Sequence, residues 1–91
     1  MTYELIFTDQ AKKDIADLKK SDSMAFKKLK NLLIELSNHP YTGTGRPKLM
    51  QYKYSGFYSR RITQKHRIVY SINDNEISVL IVSSKGHYDD K

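Results

Sequence analysis

The residues best suited to chemistry in this chain lie between Ser55 and Tyr70, in SGFYSRRITQKHRIVY. Arg60, Arg61, Lys65 and Arg67 are interleaved there with Phe57, Tyr58 and Tyr70. Cations hold phosphates and flat rings stack on bases, so this composition suits single-stranded RNA. A basic, solvated β-hairpin is the plainer alternative that such charge patterning allows. Arg46 and Lys48 follow the glycines of YTGTGRP and extend the same positive stretch. That glycine segment is not a phosphate-binding P-loop, because the GK[ST] ending is absent.

The reaction can be narrowed by elimination. There is no Cys, and His39, His66 and His87 lack the spacing of metal ligands. From Leu36 to Asn73 there is no Asp or Glu, which disfavours a paired-carboxylate site. No nucleophile-elbow motif supports a Ser-His-Asp arrangement. What remains is Arg, Lys, His and Tyr with no evident metal or cofactor. That set suits cleavage of RNA through its own 2′-hydroxyl. A base takes the 2′-OH proton, cations hold the phosphate, and an acid protonates the departing 5′-oxygen. Arg fits the second task because its planar fork grips two phosphate oxygens. His fits the first or third, since its ordinary pKa lies near neutrality. Each residue also has a plainer role: arginines solvating an outer sheet face, His66 in a turn, His39 at a helix end, tyrosines in cross-strand packing.

The net charge of +6 is unevenly placed. Residues 1–35 hold seven lysines against six acids, and residues 36–73 hold seven Lys and Arg against none. Residues 74–91 hold two lysines against four acids. A concentrated positive surface attracts polyanions and, equally, an acidic protein partner. The length of 91 residues fits one domain, 1–91, with a modest core. The start, MTYELIFTDQ, has no basic, apolar leader pattern, and no stretch has transmembrane length. The expected location is cytoplasmic, with no membrane partner.

The elements that must position these residues follow from periodicity. Thr2 to Phe7 alternates as a strand, with Tyr3, Leu5 and Phe7 on one face. Thr8 and Asp9 are capping residues, and Ala11, Ile15 and Leu18 give a helix over about 9–20. Phe26, Leu29, Leu33 and Leu36 give a second helix over about 22–38, stopped by His39-Pro40. The short joint predicts an antiparallel helix pair. Leu49 to Tyr54 reads as a short strand, followed by strands at 58–63, 67–72 and 76–83. The last of these is apolar on both faces, which predicts a central place in the sheet. The fold class is therefore α+β, in the order β-α-α-β-β-β, with two helices on a mostly antiparallel twisted sheet. Within the 58–72 hairpin, Ile62 should share the core face with Ile68. Pairing Ile62 with Ile68 sets Thr63 opposite Arg67 across a three-residue loop, 64–66. Arg61 and Arg67 then project from the same, outer face.

With those residues in place, the chain resembles the YoeB (Txe/YoeB) toxins of bacterial toxin–antitoxin modules, in the RelE superfamily. The resemblance rests on SGFYSRRITQKHRIVY, the two-faced apolar strand and the terminal His87-Tyr88, and is most specific from Gly43 to Tyr88. It implies a RelE-like fold and a ribosome-dependent mRNA interferase. Such an enzyme enters the ribosomal A site, contacts ribosomal RNA there and cuts mRNA without a metal or cofactor. It implies a YefM-like antitoxin as partner and makes a homodimer plausible. Carried over, the phosphate-binding arginines fall on Arg61 and Arg67, and the catalytic His and Tyr on His87 and Tyr88. Arg46, Arg60, Lys65 and Tyr58 are the expected RNA contacts around them. One position departs from the family: Lys48 stands where a Glu general base is common. Either His87 serves as the base, or Lys48 contributes as in the lysine-rich RelE site. The departure keeps open a weakened ribosome binder; a ParE-like gyrase poison is the other alternative, and the terminal His-Tyr argues against it.

Overall fold

The computed structural model describes residues 2–43, 47–50 and 55–83. Strand β1 (Glu4–Phe7) leads into helix α1 (Asp9–Ser21) and helix α2 (Ser23–Asn38). Strands β2 (Lys48–Leu49), β3 (Tyr58–Arg61), β4 (Arg67–Asn73) and β5 (Ser78–Ser83) follow. They form one sheet in the order β1-β5-β4-β3-β2. β1 runs parallel to β5, and the other neighbours are antiparallel. The predicted α+β class, the helix pair and the interior place of the last strand all hold, but the order β-α-α-β-β-β is one strand short, because Lys48–Leu49 pairs with β3 as a strand of its own. The segment expected as a strand over 49–54 forms its ladder at Lys48–Leu49, and 51–54 lies outside the described residues.

The helices begin where the caps predict. The Thr8 hydroxyl accepts from the Ala11 amide at 3.0 Å, and Asp22 Oδ1 accepts from the Ala25 amide at 3.0 Å. Each satisfies a donor that the first turn leaves open. Asp22 is the single residue between α1 and α2, so the chain reverses at a cap. Ala11 and Leu18 from α1 pack with Ala25, Leu29, Leu32 and Leu36 from α2 against Ile62, Ile68, Tyr70, Val79 and Ile81. Tyr3, Leu5 and Phe7 pack at the edge of this cluster, while Ile6 points away and is exposed. One sheet face therefore lies under the helices. The other carries Lys48, Ser59, Arg61, Arg67 and Val69, as period-two alternation and the pairing register require.

The predicted hairpin register is overturned. Arg61, not Thr63, stands opposite Arg67, and Arg60 stands opposite Ile68. The ladder is thus two residues out of step with the expectation, and 62–66 form the loop. Local hydrogen bonding accounts for the longer loop. The Thr63 hydroxyl accepts from the amides of Lys65 and His66 at 3.1 and 3.2 Å. The His66 carbonyl accepts from the amides of both Ile62 and Thr63. Such a side-chain turn competes with the ladder for the same backbone groups. Ile62 still reaches the core, but from this bend rather than as the partner of Ile68. A shift of two preserves face parity, so Arg61 and Arg67 remain on one face, as expected.

Candidate RNA-cleavage site

Arg61 and Arg67 are cross-strand partners in the β3–β4 ladder. Arg61 is exposed and Arg67 half-buried. Neither guanidinium has an ion-pair or hydrogen-bond partner among the described residues. Like charges directly opposed across a sheet destabilise it. Two such groups, unneutralised and on one face, have the chemistry to take an anion such as a phosphodiester. Lys48 lies on the same face, opposite Ser59, and so diagonal to Arg61 at the usual cross-strand spacing of about 7–8 Å. Lys65 is exposed on the 62–66 bend, at the rim of this face. Arg46, His87 and Tyr88 lie outside the described residues. The structure thus brings Arg61, Arg67 and Lys48 onto one face.

Two residues expected as RNA contacts lie elsewhere. Arg60 is fully buried on the helix-covered face, where RNA has no access. Its Nε donates to the Tyr70 hydroxyl at 3.0 Å and its Nη1 to Glu35 Oε1 at 3.0 Å. Its Nη2 donates to the carbonyls of His39 and Thr42. A buried guanidinium survives only when most of its donors are matched, and four of its five N–H groups are. Tyr58 is also on the helix side. It stacks on Tyr70, with centroids 5.9 Å apart and planes at 17°, and meets Tyr41 edge-on at 5.9 Å and 84°. The expectation fails because it treats Arg as a surface residue. Alternation from Ile62 along the strand already assigns Arg60 and Tyr58 to the core face.

The groups that brace this region carry no signal in the sequence. Burial raises the pKa of the Tyr70 phenol, and the hydrogen bond from Arg60 works against that rise. Asp74, in the β4–β5 turn, accepts from the Tyr3 hydroxyl at 2.6 Å and from the Tyr41 hydroxyl at 2.5 Å. Those two bonds hold its carboxyl below the ordinary aspartate range. The bond to Asp74 pushes Tyr41 up to about 12. Only contacts across 71 and 33 residues of sequence create this cluster, so no local motif announces it. A cavity of about 360 Å³ opens between α2 and the end of β3, lined by Lys28, Asn31, Leu32, Glu35, Arg61 and Ile62. Among the described residues no three His, Asp or Glu side chains converge in a metal-binding group. None of the helices described is long and apolar enough to cross a membrane.

Known proteins share this fold. Residues 7–88 match the model of the YoeB-like toxin of bacterial type II toxin–antitoxin systems. The chain is 34% identical over 85 residues to Toxin YoeB of Escherichia coli (strain K12), covering 93% of this chain and 99% of that protein. It is similar in structure to the YoeB dimer from Staphylococcus aureus, with a TM-score of 0.82 and 32% identity over 97% of this chain and 100% of that one. It is similar also to the toxin in a YoeB-YefM complex from Staphylococcus aureus, with a TM-score of 0.79 and 31% identity over 97% of this chain and 100% of that one.

Proposed function

This chain belongs to the YoeB-like toxins of bacterial type II toxin–antitoxin systems, and from that premise we propose that it is a ribosome-dependent mRNA endoribonuclease. The observation that carries the reading is the Arg61–Arg67 pair, two guanidinium groups opposed on one sheet face with no partner among the described residues. They hold the two non-bridging oxygens of the scissile phosphate and stabilise the charge that builds there. The 2′-oxygen attacks the phosphorus as its proton leaves, the bond to the 5′-oxygen breaks, and that oxygen takes up a proton. The products are a 2′,3′-cyclic phosphate and a 5′-hydroxyl end. No metal takes part in this scheme.

Proton transfer is assigned to His87, with Tyr88 positioning or stacking on the substrate. Lys48 and Arg46 add positive charge at the phosphate. A lysine ammonium cannot accept the 2′-OH proton, so Lys48 supports electrostatics and His87 is the base candidate. A cluster of cations lowers the pKa of an imidazole held among them and favours its neutral, base-competent form. Mapping mRNA 5′ ends after induction tests the reading. New 5′-hydroxyl ends at defined codon positions are expected, and they should vanish in Arg67→Ala and His87→Ala. Growth arrest without new ends would support a non-nucleolytic ribosome binder, in which the lysine at position 48 has replaced the base.

The antitoxin partner is a YefM-like protein, supported by the YoeB-YefM complex among the structural relatives. Its binding segment should be acidic or amphipathic and cover the arginine face. The YoeB dimer among those relatives supports a homodimer of this chain.

A further inference from the structure

Arg60 places a cation where RNA does not reach, and what it holds there is the route to the site. Its Nη2 donates to the carbonyls of His39 and Thr42, and its Nη1 to Glu35 near the end of α2. Its Nε donates to the Tyr70 hydroxyl, which donates in turn to the Pro40 carbonyl at 3.3 Å. The backbone of the connection after α2 is thus tied to β3 and β4 at residues 39, 40 and 42. Gly43 closes against the same ion pair. Its φ is +120°, and a Cβ there would collide with Glu35 Oε1 and stand 3.2 Å from Arg60 Nη1. This connection leads to β2, which carries Lys48, while Arg61 is the next residue after Arg60 on β3. One buried guanidinium therefore joins the two segments that bring Lys48 and Arg61 to the opposite face.

We propose that Arg60 is a positioning residue for RNA cleavage: it fixes the connection over 39–43 to β3 and so sets Lys48 and Arg61 relative to Arg67, without contacting RNA. The proposal rests on the nuclease reading above. Stability alone does not explain an arginine here, because apolar residues of similar volume often replace buried ion pairs without loss. What an apolar side chain cannot do is satisfy the Glu35 carboxylate, two carbonyls and a phenol from one rigid plane. Lysine keeps the charge but offers a point donor in place of a fork.

The test compares Arg60→Lys and Arg60→Met with Leu18→Ala, a core truncation in α1 away from the connection. Ile15→Ala replaces Leu18→Ala should that variant not fold. Single-turnover mRNA cleavage on programmed ribosomes is measured beside ribosome affinity, at conditions where each protein is folded. Both Arg60 variants should cut on the order of 10- to 100-fold more slowly, with ribosome affinity within about twofold of wild type. The α1 variant should cut at the wild-type rate. Amide exchange over 40–43 and 48–50 should rise in Arg60→Lys and stay unchanged in the α1 variant. The proposal is overturned if Arg60→Lys cuts as fast as the α1 variant, if its loss lies wholly in ribosome affinity, or if exchange over 40–43 is unaltered. A wild-type protein that leaves mRNA on programmed ribosomes uncut would instead overturn the nuclease reading. The exchange result would still show whether Arg60 anchors the connection.

Discussion

Arg61 and Arg67 face each other across the β3–β4 ladder with no counter-ion among the described residues. Such a pair costs stability when empty and becomes favourable when a phosphate lies between the two groups. This predicts opposite signs for stability and activity. Arg61→Ala and Arg67→Ala should each lose about 2.7–4 kcal/mol of transition-state stabilisation, roughly 10²–10³ in rate. Their unfolding free energies should stay level or rise, by about 0.2–1 kcal/mol. Cleavage assays and urea denaturation on the same preparations check both signs. Loss of activity accompanied by unfolding would assign the pair to the fold rather than to the substrate.

Gly43 carries a different constraint. A side chain there meets the Glu35 carboxylate, and its φ of +120° suits glycine. Gly43→Ala should destabilise by about 1–3 kcal/mol. Gly56 has a φ of +90° but open space around it, so Gly56→Ala should cost less. Thermal unfolding of the two variants side by side reads the difference, and equal losses would show that backbone strain alone sets the cost.

The Asp74 cluster predicts a pH dependence with a defined sign. Hydrogen bonds from Tyr3 and Tyr41 hold the Asp74 carboxyl below its ordinary value. Its contribution is therefore complete above the unfolded aspartate pKa of about 3.9 and fades as pH falls through the lower folded value. The stability gap between wild type and Asp74→Asn should be constant near neutrality and close under acid. At the alkaline end, Tyr41 is pushed up to about 12, so its contribution persists above the ordinary tyrosine range and is lost towards that value. Asp74→Asn should bring the Tyr41 titration back towards about 10, read by phenolate absorbance. An unchanged titration would show that the hydrogen bond is not its cause.

Antitoxin binding should respond to salt, because residues 36–73 carry seven cations and no acid. Screening weakens exposed charge pairing over a Debye length of about 10 Å at 0.1 M salt. The association rate should fall steeply as salt rises, with a smaller change in dissociation. Stopped-flow measurement of the isolated pair tests this. A salt-independent association rate would place the antitoxin on an apolar surface instead.

Much of this protein is legible in its sequence. The caps at Thr8 and Asp22, the helical stripes and the stop at His39-Pro40 depend on residues within a few positions of one another. Local hydrogen bonds and periodicity are enough to define them. The parity that puts Arg61 and Arg67 on one face also follows from the chain itself, because a strand alternates whatever its partner. The lysine at position 48 stands out as a departure from the family pattern without any geometry.

What the tertiary structure decided is which cations are available. In sequence, Arg60 and Arg61 are neighbours of the same type, and both suit RNA. The fold separates them by one side-chain alternation. Arg60 finds its acceptors on α2 and on the connection after it, 18 to 25 residues away in sequence, and Arg61 finds none among the described residues. The register was decided in the same way, by a Thr63 turn competing with a longer ladder. Period and capping act over one turn of chain. The matching of a buried charge to its acceptors acts through space, and so it appears only once the elements are packed.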